Sequence, residues 1–93
     1  MPLTFEWDFR KARMNLLKHG VSFEESATVF ADQLSVTIPD PEHSEKEERF
    51  VTIGKTYSGK LVVVVHTDRG DNIRVISARP ASRRERRSYE EIT

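Results

Sequence analysis

Two glycine-bearing turns, set about a strand's length apart, constrain this 93-residue chain more than anything else in it. Tyr57-Ser58-Gly59-Lys60 and Asp68-Arg69-Gly70-Asp71 are short polar segments with glycine where positive φ costs little. Arg49 to Thr56 reads as a strand before the first turn. Leu61 to Thr67, apolar on both faces, lies between the two, and Asn72 to Arg79 follows the second. Connections this short join antiparallel neighbours, because a parallel crossover needs about a dozen residues or more. The second half is therefore predicted to be an antiparallel meander with Leu61–Thr67 at its centre.

The first half has a different rhythm. Leu3 to Trp7 suits a short edge strand. Asp8 stands where an N-cap belongs, and Phe9, Ala12 and Leu16 recur at helical spacing, which predicts an inward stripe. Gly20 is placed to close that helix in a left-handed conformation, with Val21 folding back on Leu16. Ser22-Phe23-Glu24-Glu25 has the form of a capping box and opens a second helix with Phe23, Ala27 and Phe30 inward. Val36 and Ile38 alternate with Ser35 and Thr37 in one more strand, stopped by Pro39 and Pro41. Glu42 to Glu48 is a charged loop. Pro80 ends the last strand, and Ser82-Arg83-Arg84-Glu85 is a second capping box that starts a terminal helix through Ile92. The expected fold is one α+β domain over residues 1–93. Its order is β-α-α-β-β-β-β-α, with two N-terminal helices and a C-terminal helix packed on a mostly antiparallel sheet.

Composition narrows the chemistry. The chain has no cysteine, hence no disulfide framework, thiolate nucleophile or cysteine zinc site. Its longest apolar run, Leu61 to Val65, is far short of the ~20 residues of a membrane span. Met1-Pro2-Leu3-Thr4-Phe5-Glu6 does not resemble a secretory signal, so a cytoplasmic protein is expected. With three histidines and no His-x-x-x-His or Asp-x-Asp spacing, no metal site or cofactor is expected.

The formal net charge of zero conceals two poles. Residues 1–48 hold 10 acids and 5 bases, and residues 49–93 hold 5 acids and 10 bases. Such asymmetry points to a charged partner. Four of the bases, Arg83, Arg84, Arg86 and Arg87, crowd the start of the terminal helix, where the helix dipole prefers acids. Arginine forks suit phosphate oxygens, so these residues read as an RNA or phosphate surface. They read equally as a solvated helix pairing Arg86 with Glu90 and Arg87 with Glu91, or as a docking face for an acidic protein.

Single residues sharpen the picture. Arg74 and Arg79 have opposite parity on a predicted strand, so they should face opposite sides of the sheet, Arg79 with Ile73, Val75 and Ser77. Lys18 and His19 either cap the first helix electrostatically or supply acid–base chemistry. Asp40-Pro41-Glu42-His43-Ser44 lacks the spacing of a catalytic triad and reads as an exposed loop, whereas Glu48 beside Arg49 could bring a carboxylate and a guanidinium to the sheet edge. His66, on the Val62/Val64 side, reads as a core residue. Tyr89 either packs or stacks on a base.

These blocks resemble a known family. Phe5-Glu6-Trp7-Asp8, Lys11-Ala12, Asn15, Lys18-His19-Gly20-Val21-Ser22-Phe23-Glu24-Glu25 and Val29-Phe30 are similar to the opening of the BrnT toxins of BrnT/BrnA type II toxin–antitoxin modules. The similarity continues through His43-Ser44, Glu47-Glu48-Arg49, Arg69-Gly70-Asp71, Ile73-Arg74, Ile76-Ser77-Ala78-Arg79, Glu85-Arg86 and Tyr89-Glu90. Gln33 departs from it, where proline is expected after Asp32. The resemblance implies a RelE-like fold and a ribonuclease that arrests translation. It also implies a BrnA-type antitoxin bearing a ribbon-helix-helix part, and a complex that binds operator DNA as a co-repressor. Metal-free RNA cleavage needs a base for the 2′-hydroxyl, cations on the phosphate and an acid for the leaving oxygen. On that reading Arg79 and Arg49 contact the scissile phosphate, with Arg74 as a further candidate. Lys18 and His19 transfer protons, and Glu48 is an alternative base or orienting partner. Arg69, Arg83, Arg84, Arg86, Arg87 and Tyr89 would contact RNA. The antitoxin should cover the basic surface through a segment rich in Asp and Glu. The competing readings are a non-catalytic module that binds nucleic acid or antitoxin, and a metal-dependent nuclease.

Overall fold

The structure, a computed structural model, describes residues 3–43 and 46–92. Five strands form one sheet in the order β1-β5-β4-β3-β2. They are β1 (Thr4–Glu6), β2 (Val36–Pro39), β3 (Arg49–Lys55), β4 (Leu61–Arg69) and β5 (Asn72–Pro80). Strands β2 to β5 pair antiparallel, and β1 adds to β5 in parallel. The meander and the central place of Leu61–Thr67 are as the turns predict. Gly59 and Gly70 take φ of 86° and 59°, which is why both hairpins need glycine. No helix among the described residues is long and apolar enough to cross a membrane.

One side of the sheet carries α1 (Phe9–His19), α2 (Phe23–Ala27) and a 3-10 turn (Thr28–Ala31). The core lies there: Val21, Phe23 and Val29 against Val62, Val64, Val75 and Ala78, with Phe5, Trp7 and Phe30 packed at its rim. The 3-10 turn comes close enough to β3 that a Cβ on Gly54 would stand 3.2 Å from Val29 Cβ and 3.0 Å from Ser35 Cβ. The other side carries α3 (Arg83–Ile92), whose Tyr89 and Ser88 lie over Val36, Ile38, Val51, Ile53 and Val63.

Both N-caps form as expected: Asp8 accepts from Arg10 and Lys11 N–H, and Ser22 from Glu25 N–H. Two expectations fail. Glu25 does not complete a capping box. Its carboxylate instead accepts from Thr56 and Ser58 and lies 3.8 Å from Lys60 Nζ, which ties α2 to the β3–β4 turn. Of the stripe predicted to face inward on α1, Ala12 packs against the core, but Phe9 and Leu16 turn outward, 84% and 49% exposed. Buried Asn15 takes the inward place. Its amide donates to Val21 C=O at 3.0 Å and Ala78 C=O at 2.8 Å, and its oxygen accepts from Ala78 N–H at 3.1 Å. Strand β1 stops at Glu6, so the outer edge of β5 beyond Arg74 lacks a strand partner. Asn15 satisfies both backbone groups of Ala78 there, as a strand would. Gly20 then closes α1 at φ 71°, its N–H bonded to Leu16 C=O, as the sequence predicts.

Candidate functional site

Cross-strand register decides which side chains share a side of the sheet, because residues directly opposite one another point the same way. Arg49 stands opposite Thr67, and Thr67 opposite Arg74. Val63 stands opposite Arg79, and Arg69 opposite Asn72. All four arginines therefore lie on the side away from the core, which Val62 and Val64 face. A β-bulge produces this. Val65 pairs with Ser77, but His66 pairs with Val75, leaving Ile76 as the extra residue. Parity flips there, which lets Val75 and Ala78, three apart, both enter the core. The expectation that Arg74 and Arg79 face opposite sides is thus corrected. Arg79 keeps Ser77 as a same-side neighbour and parts from Ile73 and Val75. Arg49, Thr67 and Arg74 form one row, with the two arginine Cα atoms about 10 Å apart across three strands. Arg79 lies four residues farther along, about 13 Å.

Each guanidinium has a carboxylate. Arg79 forms a bidentate pair with Glu85, both bonds 2.7 Å. Arg74 donates to Glu6 at 2.8 Å, with Asn72 on the other oxygen of the same carboxylate. Glu47 lies 3.9 Å from Arg49 and 3.7 Å from Arg69. Among the described residues the carboxylate at Arg49 is thus Glu47, not Glu48. The Glu48 side chain is exposed and bonds to no described residue, while its carbonyl accepts from Thr67 Oγ1.

Glu85 has two duties. It completes the capping box of α3, accepting from Ser82 N–H at 2.8 Å while its own N–H donates to Ser82 Oγ, and it grips Arg79. The Arg79 fork is the main cause that lowers its pKa from 4.5 to about 2, against burial, which raises it. The folded state therefore binds the proton less well than the unfolded chain. The pair's stabilisation is full above about 4.5 and is lost as pH falls toward about 2. The gap in urea midpoint between wild type and Glu85→Gln should accordingly be widest above pH 4.5 and close as pH approaches 2. A gap of constant size across that range would show that the pair contributes nothing.

The other candidates separate. Arg83, Arg84, Arg86 and Arg87 are all exposed along α3. Tyr89 is not a stacking platform: it is 3% exposed, and its hydroxyl donates to Asp32 at 2.7 Å. Burial, then that carboxylate, raises its pKa to about 12. Asp32 also accepts from Leu34 and Lys55 N–H, so it fastens α3 to the end of β3. His66 is a core residue between Phe30 and Phe50; its Nε2 lies 2.7 Å from Thr52 Oγ1, and burial lowers its pKa. Lys18 and His19 lie one helical turn beyond Asn15, toward the Pro80 end of β5. Lys18 is exposed, His19 half-buried, and neither side chain bonds to a described residue or to the arginine row. Ser44 lies outside the described residues.

Sequence reasoning did not single out Glu6 and Glu47 or see the pairing role of Glu85. Nothing local links Glu6 to Arg74, 68 residues away. Glu47 lies in the bend just before β3, so strand alternation did not reach it, and only its closeness in sequence to Arg49 was a signal.

Fold and site together define a class: a small α+β domain that displays a set of carboxylate-paired arginines on one side of a single sheet. The chain belongs to the BrnT family, the ribonuclease toxins of type II toxin–antitoxin systems, whose family model matches residues 7–85. It is similar to the crystal structure of the Brucella abortus ribonuclease toxin BrnT, with 25% identity and a TM-score of 0.69. That alignment covers 88% of this chain and 100% of the other. No curated protein sequence matches it.

Proposed function

We propose that this chain cuts RNA without a metal ion, by attack of a 2′-hydroxyl on the adjacent phosphate, and so arrests translation. A BrnA-type ribbon-helix-helix antitoxin neutralises it, and the pair represses its own operator. The observation that carries this reading is the gathering of Arg49, Arg69, Arg74 and Arg79 on one side of the sheet. Four guanidiniums so arranged suit several phosphates of one strand.

Arg79 and Arg49, at opposite corners of the arginine set, engage the scissile phosphate, and Arg74 adds a third fork beside Arg49. Their charge stabilises the phosphorane as the 2′-oxygen bonds to phosphorus and the 5′-oxygen leaves. Glu85, held near pKa 2, is too weak a base to take the 2′-proton at neutral pH, so its part is to hold Arg79 until RNA arrives. Proton transfer falls to Lys18 and His19, which α1 holds on the other side of the sheet, so the RNA strand has to turn around the Pro80 end of β5 to meet them, and Glu47 joins Glu48 as an orienting carboxylate. Arg69 and the α3 arginines hold flanking phosphates.

Purified protein incubated with single-stranded RNA in excess EDTA should release fragments ending in 2′,3′-cyclic phosphate. Cutting that EDTA abolishes would identify a metal-dependent nuclease. RNA retarded in a gel but left intact would identify a binding module.

A further inference from the structure

Helix α1 turns its large apolar side chains away from the core. Its inward arc is Ala12, Asn15 and His19, while its outward arc carries Phe9 at 84% exposure, Leu17 at 78%, Met14 at 67% and Leu16 at 49%. One exposed apolar side chain needs no account, but four large ones on an 11-residue helix make a patch. At about 100° per residue, Phe9, Leu16 and Leu17 fall on one outward arc with Arg13 among them. The helix carries Arg10, Lys11, Arg13 and Lys18 and no acid, although it belongs to the acidic half of the chain. None of these four side chains forms an ion pair with a described residue.

We propose that this outward face of α1 docks an acidic amphipathic helix of the antitoxin. The partner lays its apolar side chains over Phe9, Leu16 and Leu17 and sets a carboxylate against Arg13. The proposal rests on the toxin–antitoxin reading and locates the contact on α1, away from the arginine row. Charge complementarity selects the occupant. A second copy using the same face would oppose two basic surfaces across a two-fold axis. A membrane would have to take the Arg13 guanidinium between Phe9 and Leu17 into acyl chains without a counter-charge, whereas a protein helix supplies one. Helix-on-helix packing also suits a ridge of Phe and Leu side chains.

The test compares wild type with Leu17→Glu and Arg13→Glu, both at exposed positions. Titration calorimetry with the full-length cognate antitoxin should show affinity falling about 100-fold or more in each variant. Thermal midpoint and RNA cleavage by the free protein should be unchanged. An Asp→Lys or Glu→Lys change in the antitoxin's contact helix should restore binding to Arg13→Glu. Unaltered affinity in both variants would overturn the α1 site and leave the toxin–antitoxin reading standing. An antitoxin that does not bind the wild type would sink both. Two further results also overturn the proposal. One is sedimentation of wild type, but not Leu17→Glu, with phosphatidylserine–phosphatidylcholine vesicles. The other is a wild-type dimer that Leu17→Glu dissociates.

Discussion

Arg79→Ala is expected to lower the rate of RNA cleavage about 100- to 1,000-fold, the usual loss when a group that stabilises transition-state charge is removed. The side chain lies at the end of β5, and among the described residues its one side-chain partner is Glu85. Single-turnover cleavage separates this loss from weaker RNA binding. Arg79→Lys keeps the charge and loses the fork, so it should fall between wild type and alanine. Glu85→Gln is the control: it weakens the grip on Arg79 but leaves the guanidinium in place, and it should keep most of the activity. If folded Arg79→Ala cuts RNA at the wild-type rate, the outer side of the sheet is not where the reaction occurs.

The largest effect on stability is expected at Asn15. Asn15→Leu removes three hydrogen bonds and strands Val21 C=O and both backbone groups of Ala78 beside a buried side chain. Each unsatisfied buried group costs about 1–3 kcal/mol, so a loss of about 3 kcal/mol or more is expected. For a domain of this size that corresponds to a fall of roughly 12–24 °C in Tm. Urea unfolding at constant m-value measures it directly. A loss under about 1 kcal/mol would mean that water or a shifted strand satisfies those groups as well as the amide does.

Much of the fold was legible because its signals are local. The turns at Gly59 and Gly70 dictated the meander, the caps at Asp8 and Ser82 marked helix starts, and Gly20 marked an end. The site was legible as a set of residues and not as an arrangement. Arg49, Arg69, Arg74 and Arg79 were all named, but alternation assigned Arg74 and Arg79 to opposite sides. The single extra residue at Ile76 reversed that assignment, and nothing in Val75-Ile76-Ser77 announces a bulge. Of the carboxylates that hold the arginines, Glu6 stands 68 residues from Arg74, beyond any spacing rule, whereas Glu47 and Glu85 are close in sequence to Arg49 and Arg79. Helix α1 misled for another reason. Apolar periodicity reports where apolar residues lie on a helix, not which side meets the core, and Asn15 took the core side through backbone groups that periodicity does not see.

The parallel pairing of β1 with β5 has a kinetic consequence. Thr4, Phe5 and Glu6 find their partners at Asn72, Ile73 and Arg74, so the first strand of the chain can dock only after the last has been made. Closing so long a loop is slow compared with closing the two hairpins, whose partners are a few residues apart. During synthesis the β3–β4 hairpin can form early, while β1 waits in a nascent chain with a free edge. Until residue 74 has emerged, Arg49 lacks its row partner and Glu6 has no guanidinium to hold. The arginine row is thus among the last parts of the molecule to exist, completed only when β1 meets β5.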